Sequence, residues 1–161
     1  MKIDKNQLLN QIIHQLESEL VLIAEAAQNT YEIATHEENK PENEYDTRGL
    51  EASYLAGAQA ERVSEMKNTI VLLKSLKTKE FKETDAIAFS ALVEIESEGK
   101  VQTMFVLPSG GGLKIQYTHV LIQTVTPESP LGEALIGLFV GDVAAIDVGK
   151  KQKEYEILSI A

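Results

Sequence analysis

The 161 residues include 15 Lys and Arg against 25 Asp and Glu, a formal net charge of −10, and no cysteine. That is room for one medium domain or two small ones, and it excludes a disulfide framework and a thiolate zinc site. Binding nucleic acid non-specifically through a basic surface takes clustered Lys and Arg to neutralise phosphates, so that class is not expected, while a basic protein surface or a metal ion stays within reach.

The N-terminus, MKIDKNQLLNQ, lacks an apolar signal core, and no apolar run approaches the roughly 18–20 residues of a membrane span. A cytoplasmic protein without membrane contact is expected. Asp4 is a fitting N-cap for a first helix running to about Glu38. Along it Leu9, Ile13, Leu16, Leu20, Ile23, Ala27, Tyr31 and Ala34 recur in steps of three and four, one stripe on one helical face.

The stripe stops at His36–Glu51, HEENKPENEYDTRGLE, and restarts at Ala52, Ala56, Gln59, Val63, Met66, Ile70 and Leu73. Pro41 lacks the N–H a helix interior needs and pushes Lys40 out of the helical region, so the reversal belongs there. Residues 1–80 therefore read as an antiparallel helical hairpin, a coiled coil with its tip at 36–51. Arms of about 35 residues at 1.5 Å rise extend on the order of 50 Å. The tip is acidic: Glu37, Glu38, Glu42, Glu44, Asp46 and Glu51 face only Lys40 and Arg48. A solvated tip alone would explain such charge. Ala24, Ala26, Ala27 and Ala34 on one arm and Ala52, Ala56, Ala58 and Ala60 on the other would let the backbones approach near the tip. Gly49 and Gly57 each weaken the second helix by up to about 1 kcal/mol relative to Ala. Tyr45 and Tyr54 are expected to pack within the hairpin.

The charged stretch LKTKEFKET, residues 76–84, ends the second helix and links to residues 85–161, where the period changes to two. Ile87, Phe89, Ala91, Val93 and Ile95 alternate as in a half-buried strand. Glu98-Gly99 turns into a strand over Val101–Leu107, Pro108–Gly112 is a loop, and strands follow at Lys114-Ile115 and His119–Val125. Ser129-Pro130 is an N-cap with proline at the first position of a short helix, Leu131–Leu138. Strands at Val143–Val148 and Tyr155–Ile160 close the chain. The fold class is α+β, a helical hairpin followed by an antiparallel β domain with one short helix. Gly110–Gly112 lacks the lysine and helix of a phosphate loop and reads as a hairpin turn. His14, His36 and His119 show no metal-ligand spacing, and no Ser/His/Asp or Cys/His set assembles, so an enzyme with its own active site is not expected.

The run TPESPLGEALIGLFVGDVAAI, residues 126–146, closing with YEILSI at 155–160, resembles the C-terminal domain of the Gre family of bacterial transcript cleavage factors. Ser-Pro-Leu-Gly, Ala-Leu-Ile-Gly and Val-Gly-Asp-Val fall in the family's order and spacing. Glu42-Asn43-Glu44-Tyr45 resembles the family's hairpin tip more loosely. The resemblance implies an FKBP-like C-terminal domain that docks on the rim of RNA polymerase's secondary channel, with Glu128, Ser129 and Pro130 as contact residues. It also implies a coiled coil that enters the channel, near the RNA 3′ end and DNA of the elongation complex. There Glu42 and Glu44, with Glu38 as a further candidate, would help hold a second Mg²⁺ that belongs to the complex, the protein binding no cofactor alone. Hard oxygen ligands suit Mg²⁺, and two metals clamp the attacking and leaving oxygens. The polymerase would then hydrolyse its own backtracked RNA.

The tip departs from the family pattern in three ways. Asn39 stands where an Asp precedes the Glu-Asn pair, the residue between Asn43 and Glu44 is missing, and Pro41 enters the loop. Two readings of the docking follow, a cleavage factor and a channel-binding regulator or inhibitor without cleavage. A third, a prolyl isomerase, would need an aromatic-lined pocket from Phe89, Phe105, Tyr117, Phe139 and Tyr155.

Overall fold

A computed structural model describes residues 3–36, 47–149 and 151–161. The chain divides into two compact units, Ile13–Val71 and a second that joins Met1–Ile12 to Leu72–Ala161.

Helix α1 (Lys5–Thr35) starts where Asp4 caps it, its carboxylate accepting from the N–H groups of Asn6 (2.9 Å) and Gln7 (3.1 Å). Helix α2 (Arg48–Ser75) begins at Thr47, whose carbonyl accepts from the Glu51 N–H at 2.9 Å and whose hydroxyl reaches the Glu51 carboxylate at 3.1 Å. A negative charge in the first turn complements the helix dipole.

Within the Ile13–Val71 unit the stripes face inward in the expected phase. Ile13, Leu16, Ala56 and Ile70 are buried, and Leu20, Ile23, Ala27, Ala34, Ala52, Gln59, Val63 and Met66 half-buried. The arms run antiparallel, Arg62 lying 3.6 Å from Glu19 as a solvent-exposed pair. Such pairs contribute little. Two expectations fail here. Tyr31 is 57% and Tyr54 73% exposed. Tyr31 flanks the seam by one position, and Tyr54 lies on the outer face, so packing reaches neither. Tyr45 lies outside the described residues. The alanines do not close the seam tightly: Ala24, Ala27, Gln28, Tyr31, Ala56, Ala60 and Val63 line an open groove. Side chains of one carbon leave too little volume to fill it.

The second unit is built on one six-stranded sheet. Its strands are β1 (Leu92–Ser97), β2 (Lys100–Val106), β3 (Lys114–Tyr117), β4 (Val120–Val125), β5 (Val143–Val148) and β6 (Lys151–Ile160), in the order β3-β4-β2-β1-β6-β5. The sheet is mixed, where alternation alone implied antiparallel pairing throughout: β2 and β4 run parallel, Thr103 beside Ile122 through Val106 beside Val125. β3 passes β2 leaving a strand's width, and β4, returning antiparallel to β3, fills it in β2's direction. β1 starts at Leu92 rather than at Ile87, because Ser90 holds a left-handed φ of 72° that no strand accommodates. Leu158 is an extra residue in β6: Glu94 pairs with Ser159 and Ile95 with Ile157.

One face of the sheet buries Val93, Ile95, Met104, Val106, Ala144 and Ile157 against Leu135 of helix α3 (Pro130–Leu135). On β2 the opposite phase holds Thr103 and Phe105, and Phe105 is fully buried, as are Leu8, Ile12 and Leu73 from the helical segments of this unit. Those segments are fastened by polar bonds. Tyr117 donates to Gln7 (3.0 Å), Gln11 to the Gln116 carbonyl (3.4 Å) and Thr78 to Asn6 (2.8 Å). Lys5 is only 5% exposed; its ammonium donates to the Lys79 carbonyl and stands 4.9 Å over the Phe81 ring. A buried ammonium needs such partners.

Candidate functional site

Two places carry the expected chemistry. The first is the hairpin tip. Glu38, Glu42 and Glu44, with Asn39 and Pro41, lie outside the described residues, which resume at the Thr47 cap. Among the described residues no three His, Asp or Glu come together as a metal site.

The second is the corner between β4 and α3. Thr126 is buried, and Ser129 folds back on it: the Ser129 N–H (3.0 Å) and hydroxyl (2.8 Å) both donate to the Thr126 carbonyl. The same hydroxyl accepts from the Gly132 N–H at 3.1 Å, capping α3, and Pro130 occupies the first helical position. The Ser129 side chain is thus spent on holding the corner. Glu128 and Pro130, on either side of it, are exposed.

Gly132 is needed for this closeness, since a Cβ there would overlap the Thr126 carbonyl. The glycine loop reaches the same spot. The Thr124 hydroxyl donates to the Gly110 carbonyl at 2.6 Å, and a Cβ on Gly111 would stand 2.9 Å from the Thr126 hydroxyl oxygen. Loops 108–112 and 126–130 therefore pack side by side, a juxtaposition that the separate turn signals of the sequence do not contain. α3 ends earlier than expected, at Leu135, with Ile136 as C-cap and Gly137 at φ 88°, a conformation glycine adopts without strain.

The five aromatics that an isomerase pocket would need have different surroundings. Phe105 and Tyr155 are buried, Tyr117 is tied to Gln7, and Phe89 and Phe139 are exposed. An isomerase pocket finds no support in that distribution.

A family model described as transcription elongation factor, GreA/GreB, C-terminal, matches residues 82–161. The matched domain, preceded by a two-helix arm, defines a transcription elongation factor. Comparison with curated protein sequences finds no match. Solved structures similar to the chain include GreA factor homolog 1 (Gfh1) of Thermus thermophilus, 24% identical over 92% of this chain and 94% of that one, at a TM-score of 0.37. Gfh1 of Thermus aquaticus is 21% identical over 91% and 92%, at 0.38. GreA/GreB from Nitrosomonas europaea is 16% identical over 63% and 91%, at 0.37. The chain belongs to the GreA/GreB family, on the strength of the matched domain. Among the described residues no helix is long and apolar enough to cross a membrane.

Proposed function

We propose that this protein binds RNA polymerase at the rim of the secondary channel through the β4–α3 corner and brings its acidic hairpin tip to the active centre. There the polymerase hydrolyses backtracked RNA. The observation that supports this most is the pairing of a GreA/GreB C-terminal domain with a two-helix arm whose first helix has 31 residues, about 46 Å at 1.5 Å rise. Glu128 and Pro130 make the contact, held in place by the Ser129 cap. At the tip Glu42 and Glu44, with Glu38 as a further candidate, supply carboxylate oxygens of the kind Mg²⁺ prefers. The metal belongs to the polymerase complex and the hydrolytic machinery to the polymerase, so the chain is an activator and not an enzyme. It works in the cytoplasm.

The test uses backtracked transcription complexes made with polymerase from the same organism, with Mg²⁺, following shortening of the RNA on a gel. Shortening that disappears in the Glu42→Ala/Glu44→Ala double variant, with polymerase binding retained, is the expected result. Asn39 favours a second reading, because a neutral amide is a weaker metal ligand than a carboxylate. On that reading the protein occupies the channel without promoting cleavage. No shortening, together with competition against a cleavage-competent Gre factor, would select it.

A further inference from the structure

The face of the sheet turned away from α3 carries a polar row across three strands. Glu94 on β1 stands opposite Thr103 on β2 and opposite Ser159 on β6, so the three side chains lie side by side on that face. The Ser159 hydroxyl donates to one Glu94 carboxylate oxygen, Oε2, at 2.9 Å. That bond orients the carboxylate and leaves Oε1 without a partner among the described residues. Thr103 is only 9% exposed, yet its hydroxyl also has no partner among the described residues. A hydroxyl this deeply buried is costly to leave unbonded, so it calls for a partner from outside the chain.

All three side chains line one cavity of about 190 Å³, which lies wholly within the unit that joins Met1–Ile12 to Leu72–Ala161. Leu92 and Ile3 add apolar wall, and Lys5 and Glu80 add charge. An engineered cavity of about 150 Å³ takes up benzene, so this one suits a molecule of about six heavy atoms. Charge decides which kind. The Lys5 ammonium is engaged, donating to the Lys79 carbonyl and standing over the Phe81 ring. Glu80 and Glu94 outweigh it, so an anion would be repelled. A metal ion finds too few ligands, since among the described residues no three His, Asp or Glu come together. An organic cation fits. Its N–H groups can donate to Glu94 Oε1 and to the Thr103 hydroxyl oxygen while its apolar body covers Leu92 and Ile3.

We propose that this cavity binds a small organic cation, an alkylammonium or alkylguanidinium of about six heavy atoms, through Glu94 and Thr103. The site does not depend on polymerase binding. It lies on the opposite face of the sheet from α3, because Glu94 and Thr103 alternate with Val93, Ile95 and Met104, which pack against that helix. An occupant would bridge Ile3 and Lys5, at the start of the chain, to three strands of the sheet.

The experiment titrates the full chain with n-pentylammonium chloride at constant ionic strength and follows the backbone amide NMR signals of Glu94, Thr103 and Ser159. The titration runs to about 50 mM, far above a millimolar Kd. Sodium pentanoate serves as an anion of similar size, and tetramethylammonium chloride as a cation without N–H groups. Saturable shifts of the three signals with pentylammonium, and none with either control, are the expected result. Glu94→Gln should weaken binding about tenfold or more, and the near-isosteric Thr103→Val about three- to tenfold, as the loss of a charged and a neutral hydrogen bond do. A thermal melt of each variant checks its folding, and Thr103→Val decides the matter if Glu94→Gln does not fold. The absence of saturable shifts in the parent overturns the proposal. So does a control that binds as tightly as pentylammonium, because the cavity would then not select a cation with N–H donors. If both variants bind within about twofold of the parent, the cation sits elsewhere and the assignment is wrong.

Discussion

A Cβ on Gly132 would overlap the carbonyl oxygen of Thr126, so α3 can begin where it does only because residue 132 has no side chain. The Thr126 carbonyl is also the acceptor for Ser129, which places cap, glycine and strand end in one packed corner. Gly132→Ala must displace either the strand end or the helix. Overpacking of this kind costs about 1–3 kcal/mol. The melting temperature should fall and polymerase binding with it; a variant as stable as the parent would show that the corner yields without cost.

Ser129→Ala tests the same corner without crowding it. The loss of the cap to the Gly132 N–H should cost about 0.5–2 kcal/mol in denaturant unfolding. Ser129→Asp restores an acceptor and should recover most of it. If Asp fares no better than Ala, the bond donated to Thr126 outweighs the cap, because a carboxylate cannot donate.

Ser90 is fully buried in a left-handed conformation, φ 72°, and its hydroxyl accepts from the Lys79 N–H at 2.9 Å. Ser90→Ala loses the bond and keeps the strain. Ser90→Gly loses the bond and relieves a strain worth about 1–2 kcal/mol. Glycine should therefore be the more stable of the two variants by about 1 kcal/mol. The reverse order would mean that the added freedom of the unfolded glycine chain outweighs the relief.

Gly57 sits in the interior of α2 facing open space, and a Cβ there would meet no atom within 4 Å. Gly57→Ala should stabilise the protein by up to about 1 kcal/mol, raising the melting temperature. A loss of stability would reveal a close contact at that point.

The coiled-coil arms were legible because a helix repeats every 3.6 residues, so burial is written into local spacing. Every expected stripe position of α2 proves buried or half-buried, Gln59 included. The caps at Asp4 and Ser129 were legible for a similar reason, since side chain and backbone donors lie within three residues of each other. Ile87, Ala91, Val93 and Ile95 were assigned inward in the right phase, but Phe89, in the same alternation, is exposed. The left-handed turn at Ser90 interrupts the period, and its stabilising partners, Lys79 and the Val106 carbonyl, are remote in sequence.

The sequence by itself determined the two helices, the strand segments, the Ser129-Pro130 corner and the family, because each rests on local spacing or on a contiguous motif. Only the tertiary structure decided the parallel pairing of β2 with β4, the assignment of Met1–Ile12 to the C-terminal unit, the crowding at Thr126 and the exposure of Phe89, Ile136 and Phe139. Those features depend on contacts between residues far apart in the chain, and neither propensity nor periodicity carries information across that distance.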